Sequence, residues 1–129
     1  ARAALAAPSV REALGCPRWR ETYVAAPVGD RTLEGYIDLL YRTEDGLVVV
    51  DYKTASSTAD LDRRMATYRA QGGAYALAVE LATGEPVARV VFVFLTPTGA
   101  VELDLDDAAQ GKREVLAALA RAPQTTPSP

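Results

Sequence analysis

Residues 33–53 read L-E-G-Y-I-D-L-L-Y-R-T-E-D-G-L-V-V-V-D-Y-K, two apolar stretches of strand type on either side of Glu44-Asp45-Gly46. Those three residues, with a glycine where a positive φ is needed, predict a hairpin turn. Each stretch carries an acid, Asp38 in the first and Asp51 in the second. A carboxylate buried beside valine and isoleucine without a partner carries a large desolvation cost. Two such acids on neighbouring strands, with a lysine one side chain along, are compatible with a cation site. Lys53 stands one same-face position beyond Asp51, because strand side chains alternate and Tyr52 points away.

The remaining elements follow from periodicity and punctuation. Residues 3–14 predict a first helix, with Ser9 as N-cap and Glu12 three positions later as a capping box, ending at Gly15-Cys16-Pro17. Residues 20–26 predict a strand, and Val28-Gly29-Asp30 the turn after it. In the next strand, residues 32–41, alternation places Leu33, Ile37, Leu39 and Tyr41 on one face and Glu34, Tyr36 and Asp38 on the other. Residues 47–53 form an apolar run long enough to lie centrally in a sheet covered on both faces. A polar loop over 55–59 leads to a helix over 60–82, where Leu61, Met65, Tyr68, Gly72, Tyr75 and Val79 share one face. Gly72-Gly73 inside it costs roughly 1 kcal/mol per glycine against alanine, and the pair suits either a close backbone approach or a kink. Thr83-Gly84-Glu85-Pro86 stops that helix. A strand over 88–95, a turn at Pro97-Thr98-Gly99 and a strand over 101–105 follow. Asp106 then caps a last helix reaching residue 121, with Val115, Leu116 and Leu119 as core residues. The order α-β-β-β-α-β-β-α predicts an α/β fold, a central mixed sheet flanked by helices. One domain is expected over 1–121, with a disordered tail over 122–129.

Composition excludes several chemistries. The 129 residues suffice for one ordinary core, and the values of 49% hydrophobic and 24% charged are those of a globular protein. There is no histidine, so Ser-His-Asp and Cys-His catalysis are impossible within the chain. The single cysteine, Cys16, makes no disulfide, zinc site or iron–sulfur cluster by itself. Any metal must then be held by oxygen, which points to Mg²⁺ or Mn²⁺. The net charge of -3 argues against binding nucleic acid by charge alone. No apolar run approaches membrane-spanning length and no signal segment opens the chain. With the lone thiol, this leads to an expectation of a cytoplasmic protein without membrane partners. The first residue is Ala1 rather than methionine, which suggests a fragment of something larger.

On the residues alone, two arrangements stay open at the site. Asp51 and Lys53 form a strand-end ion pair and Asp38 a solvated edge residue, or the hairpin brings Asp38 beside Asp51 to share a cation. Two neighbouring carboxylates without a cation repel, and one takes up a proton. A bound Mg²⁺ removes that conflict and turns water into a better nucleophile.

Gly35-Tyr36-Ile37-Asp38, then Asp51-Tyr52-Lys53-Thr54, then Gln71 and Tyr75 as Q-x-x-x-Y resemble the nuclease domain of RecB- and AddA-type helicase-nucleases, in the PD-(D/E)XK superfamily. The likeness spans residues 21–75. It implies a restriction-endonuclease-like fold and a Mg²⁺- or Mn²⁺-dependent DNA nuclease of exodeoxyribonuclease type. That nuclease would be the C-terminal domain of a helicase-nuclease acting on double-strand breaks. By the same resemblance Asp38 and Asp51 are metal ligands, the carbonyl of Tyr52 adds a third, and Lys53 is the catalytic lysine. Gln71 and Tyr75 line the site. Glu21 lies where the family often has an acid ahead of the G-x-I-D strand. The implied partners are DNA, in single strands, upstream helicase motor domains and a partner subunit. The alanine- and arginine-rich composition looks actinobacterial. Such domains usually carry a histidine ahead of these motifs, and its absence motivates the alternative of an inactive nuclease-like domain that binds DNA or docks a subunit. The iron–sulfur version of the family needs four cysteines and is excluded. Arg63, Arg64 and Arg69 are candidates for phosphate contacts or for a solvated helical face.

Overall fold

The computed structural model describes residues 7–54, 61–96, 99–105 and 108–121. In chain order the elements are α1 (Pro8–Ala13), β1 (Arg18–Val28), β2 (Arg31–Thr43), β3 (Gly46–Thr54), α2 (Leu61–Thr83), β4 (Val87–Thr96), β5 (Gly99–Asp104) and α3 (Ala108–Arg121). This is the expected order. Several expectations lie outside the described residues: the start of α1 at residue 3, the 55–59 loop, the Pro97-Thr98 part of a turn, the Asp106 cap and the 122–129 tail.

The five strands form one mixed sheet in the order β1-β2-β3-β4-β5. Neighbours are antiparallel except β3 and β4, which are parallel. A parallel pair needs a crossover, and α2 provides it. At the β2–β3 turn Gly46 has φ 134°, and a Cβ there would lie 2.7 Å from the Pro86 carbonyl oxygen. Val48, Val49 and Val50 of β3, like the 90–94 run of β4, are buried. Their continuous apolar sequence matches a strand pair covered on both faces.

Two cores result. On the α2 side Val24, Ile37, Leu40, Leu47, Val49, Val90, Phe92 and Phe94 pack with Tyr68, Ala76 and Val79. On the α1 side Leu39, Tyr41, Val48, Val50, Val91 and Val93 pack under Ala7, Val10 and Ala13.

The faces of β2 correct the simple alternation. Leu33 and Ile37 belong to the α2 side, but Leu39 and Tyr41 belong to the α1 side. The alternation changes phase at Asp38. Opposite it, between the pairs Arg20↔Leu39 and Thr22↔Ile37, Glu21 holds φ 47°. A non-glycine residue in that region costs on the order of 1 kcal/mol, so the strand pair kinks there. At the same point β2 parts from β3, whose last partner pair is Leu39↔Val50.

Two further expectations are corrected by packing. Ser9 is not the N-cap of α1. Pro8 occupies the first turn, Ala7 precedes it without a side-chain cap, and the Ser9 amide and hydroxyl both donate to Glu102 Oε1, at 2.9 and 2.5 Å. An acid from β5 thus meets the free N–H groups of the helix start from outside. Glu12 accepts instead from the Tyr41 hydroxyl, at 2.9 Å. In α3, Val115 is half-buried and Leu116 exposed, while the side chain of Leu119 lies outside the described residues. That helix docks through Gly111 rather than through Leu116. A Cβ on Gly73 would lie 2.3 Å from the Gly111 backbone, and one on Gly72 would lie 2.5 Å from Leu105 Cδ2. Of the two uses open to the glycine pair, close approach is the one observed.

Candidate active site

Where β2 and β3 separate, a side chain takes over from the backbone ladder. The Tyr52 amide donates to Asp38 Oδ2 at 2.7 Å. In an extended strand the N–H and C=O of one residue face the same neighbour. The Tyr52 carbonyl therefore faces the same notch as Asp38, while its ring packs toward the α1-side core. Asp51 sits at the base of that notch and is only 7% exposed. The nearby Asp38 carboxyl adds its negative charge to the surroundings of Asp51.

Lys53 shares the face of Asp51, as alternation requires. Its Nζ lies 2.9 Å from Asp51 Oδ2 and donates to Gln71 Oε1 at 2.8 Å. Gln71 Nε2 in turn donates to the Tyr75 hydroxyl at 3.2 Å. One turn of α2 thus fixes the far side of the lysine. The ammonium also lies 5.7 Å from the centre of the Tyr68 ring and 5.8 Å from that of Phe92, so aromatic faces support the charge from below. Tyr68 and Phe92 are contributors that sequence reading missed. The available signal was the spacing of Tyr68, Gln71 and Tyr75, three and four residues apart on one helical face.

Gly35 explains the first letter of G-x-I-D. A Cβ there would lie 3.1 Å from Cε1 and 3.3 Å from Cδ1 of Tyr75. Glycine at this point lets the tyrosine lie against β2 and reach Gln71.

Burial dominates the electrostatics of Asp51 and pushes its carboxyl up from 3.8 to about 6. The Lys53 ammonium pulls down and the Asp38 carboxyl pushes up. Burial likewise raises the Tyr75 phenol, and the charge of Asp51 adds to it. Asp51 Oδ2 is buried without a hydrogen bond of good geometry, its ion pair with Lys53 notwithstanding. A desolvated carboxylate, paired with one lysine and set beside a second carboxylate and a strand carbonyl, suits a hard cation. Among the described residues no group of three or more His, Cys, Asp or Glu side chains forms a metal cage. Two carboxylates and a carbonyl fit a cation that keeps several waters, as Mg²⁺ does.

The other candidates fare differently. Glu21 is exposed and marks the kink opposite Asp38. Arg69 faces α3, with Nη1 3.6 Å from Glu114 Oε1, so it belongs to a helix–helix contact. The side chains of Arg63 and Arg64 lie outside the described residues.

Residues 1–127 match the PD-(D/E)XK nuclease superfamily. The chain belongs to that superfamily. Asp51-Tyr52-Lys53 spells a (D/E)-x-K triplet in this sequence. Over 64 residues this PD-(D/E)XK domain is 42% identical to an ATP-dependent helicase/nuclease subunit of Carboxydothermus hydrogenoformans, covering 49% of the chain and 6% of the relative. Among solved structures it resembles the crystal structure of SSO0001, with a TM-score of 0.50 and 21% identity, covering 83% of this chain and 52% of that one. At that identity the likeness is one of fold. The chain spans about half of the solved neighbour and a small part of the curated relative. No helix among the described residues is long and apolar enough to cross a membrane.

Proposed function

We propose that this domain hydrolyses DNA phosphodiester bonds with Mg²⁺ or Mn²⁺, as the nuclease part of a helicase-nuclease that processes double-strand breaks. The observation that carries the reading is Asp51, a buried carboxylate paired with Lys53 and raised by the neighbouring charge of Asp38. A desolvated acid in that state is expensive, and a site that uses it offsets the cost with function. Asp38, Asp51 and the Tyr52 carbonyl would hold the cation. When bound, it would lower the pKa of a water and offset charge on the phosphate.

The protein's own part is positioning. Gln71 and Asp51 hold two of the three hydrogen-bonding directions of the Lys53 ammonium, leaving the third for a phosphate oxygen or the attacking water. Tyr75 orients the Gln71 amide. Asp38 keeps the notch open by taking the Tyr52 amide that a neighbouring strand would otherwise occupy. The similarity to a helicase/nuclease component supports DNA as substrate, with single strands delivered by a motor upstream and a partner subunit beside it.

The test is digestion of labelled single-stranded DNA with Mg²⁺, Mn²⁺ or EDTA, with calorimetric titration of Mg²⁺ in parallel. Cutting and cation binding are expected in the wild type, and both are lost in Asp51→Ala. A wild type that binds no divalent cation and cuts nothing would favour the inactive, DNA-binding or subunit-docking alternative.

A further inference from the structure

Beyond the kink, the β1–β2 arm presents aromatic residues on the face opposite α2. Tyr23 and Tyr36 are cross-strand partners, with ring centroids 5.1 Å apart and planes inclined at 48°. Tyr36 is 71% exposed and Tyr23 49%, and neither joins a core cluster. The Tyr23 hydroxyl donates to Glu34, which fixes that ring as a backing for the other. The pair adjoins the site. Tyr36 is two residues from Asp38 along β2, just ahead of the kink. In the β1–β2 register Arg20 stands opposite Leu39, the residue after Asp38, and Tyr23 opposite Tyr36, two residues before it. An exposed arginine, a pinned aromatic pair and the candidate catalytic acid therefore share one neighbourhood.

We infer that the Tyr23–Tyr36 pair is a base-stacking platform, on which an unpaired DNA strand lays a base beside the cation site that Asp38 and Asp51 would form. The inference rests on the nuclease reading and names what grips the substrate. Unpaired bases offer a π-face whatever their identity, and a duplex hides those faces. The platform thus selects single strands without selecting sequence. Arg20 supplies a cation for a neighbouring phosphate. Glu34 makes the arm itself unwelcoming to phosphate, so contact there is through the base.

The experiment uses labelled oligodeoxythymidylate carrying one 5-iodouracil. Affinity is measured by anisotropy with Ca²⁺ in place of Mg²⁺, the photocross-link is mapped by mass spectrometry, and KM and kcat are measured with Mg²⁺. Tyr36→Ala should raise Kd and KM roughly tenfold with kcat unchanged, and Tyr36→Phe and Tyr36→Trp should keep wild-type affinity. The cross-link should fall on Tyr36, and binding of blunt duplex should not respond to either variant. If Tyr36→Ala binds and cuts as the wild type does and no cross-link reaches the arm, the platform is wrong while the nuclease stands. A wild type that neither binds nor cuts the strand overturns both. A Tyr36→Ala protein that loses stability or solubility but no affinity shows a protein-packing surface, and that too overturns the inference.

Discussion

Asp51 sits where its charge is least comfortable, and its ionisation gives the clearest residue-level prediction. Its folded-state pKa of about 6 lies above the value near 4 expected of an unfolded aspartate. Between these values the native state holds more protons than the unfolded chain, so metal-free stability falls as pH rises from about 4 to about 6. Asp51→Asn removes the buried charge. In EDTA at pH 8 it should raise the melting temperature by about 5 °C, with no gain at pH 4, while abolishing cleavage. Thermal melts at the two pH values check this; an Asn variant less stable at pH 8 would mean that the Lys53 ion pair outweighs desolvation. Lys53 is the opposite case, with partners from a strand, a helix and two rings. That Asp38, Asp51, Lys53, Gln71 and Tyr75 belong together was legible in the sequence, and the structure brings them to one notch. Of their supports, Tyr68 was marked only by its helical spacing from Gln71 and Tyr75, and Phe92 by nothing that separates a floor from ordinary core.

At the level of elements, the helix pair α2–α3 and the kinked hairpin decide the shape of the site. Gly73 and Gly111 bring the two helices into backbone contact, and Lys112 ties α3 to Glu80 with Nζ 2.8 Å from Oε1. Alanine is the better helix former by about 1 kcal/mol, so propensity alone favours Gly73→Ala. The close contact decides the other way. Pushing the helices apart should cost roughly 2–3 kcal/mol net, measured as a lower urea midpoint with unchanged m-value. A stabilised variant would show that the crossing is looser than described. The existence and order of elements were legible from periodicity and turn residues. The phase change at Asp38 was not. Alternation assumes regular backbone, and the kink arises from Glu21 opposite Asp38 together with the loss of β3 as a partner.

For the whole molecule, the governing facts are one mixed sheet with helices on both faces and a net charge of -3. An acidic domain has little long-range attraction for a polyanion. Binding of single strands should therefore depend only shallowly on salt, with a slope of log K against log [salt] on the order of −1 to −2, as one or two phosphate contacts give. Anisotropy titrations between about 50 and 200 mM salt check this. A slope several times steeper would place a basic DNA channel on this chain. The expected weakness suits a domain whose substrate is delivered by a larger machine.

The sequence by itself determined the element order, the central place of β3, the exclusion of Ser-His-Asp and Cys-His catalysis within the chain and the placing of Asp51 and Lys53 on one face. These depend on local pattern, and local pattern is written in neighbouring residues. Only the tertiary structure decided that β2 leaves β3 at Asp38, that Gly35 makes room for Tyr75, that Glu102 rather than Ser9 caps α1 and that Arg69 is engaged by Glu114. Each of these is a contact between segments far apart in the chain, chosen by which surfaces could pack once the sheet had formed.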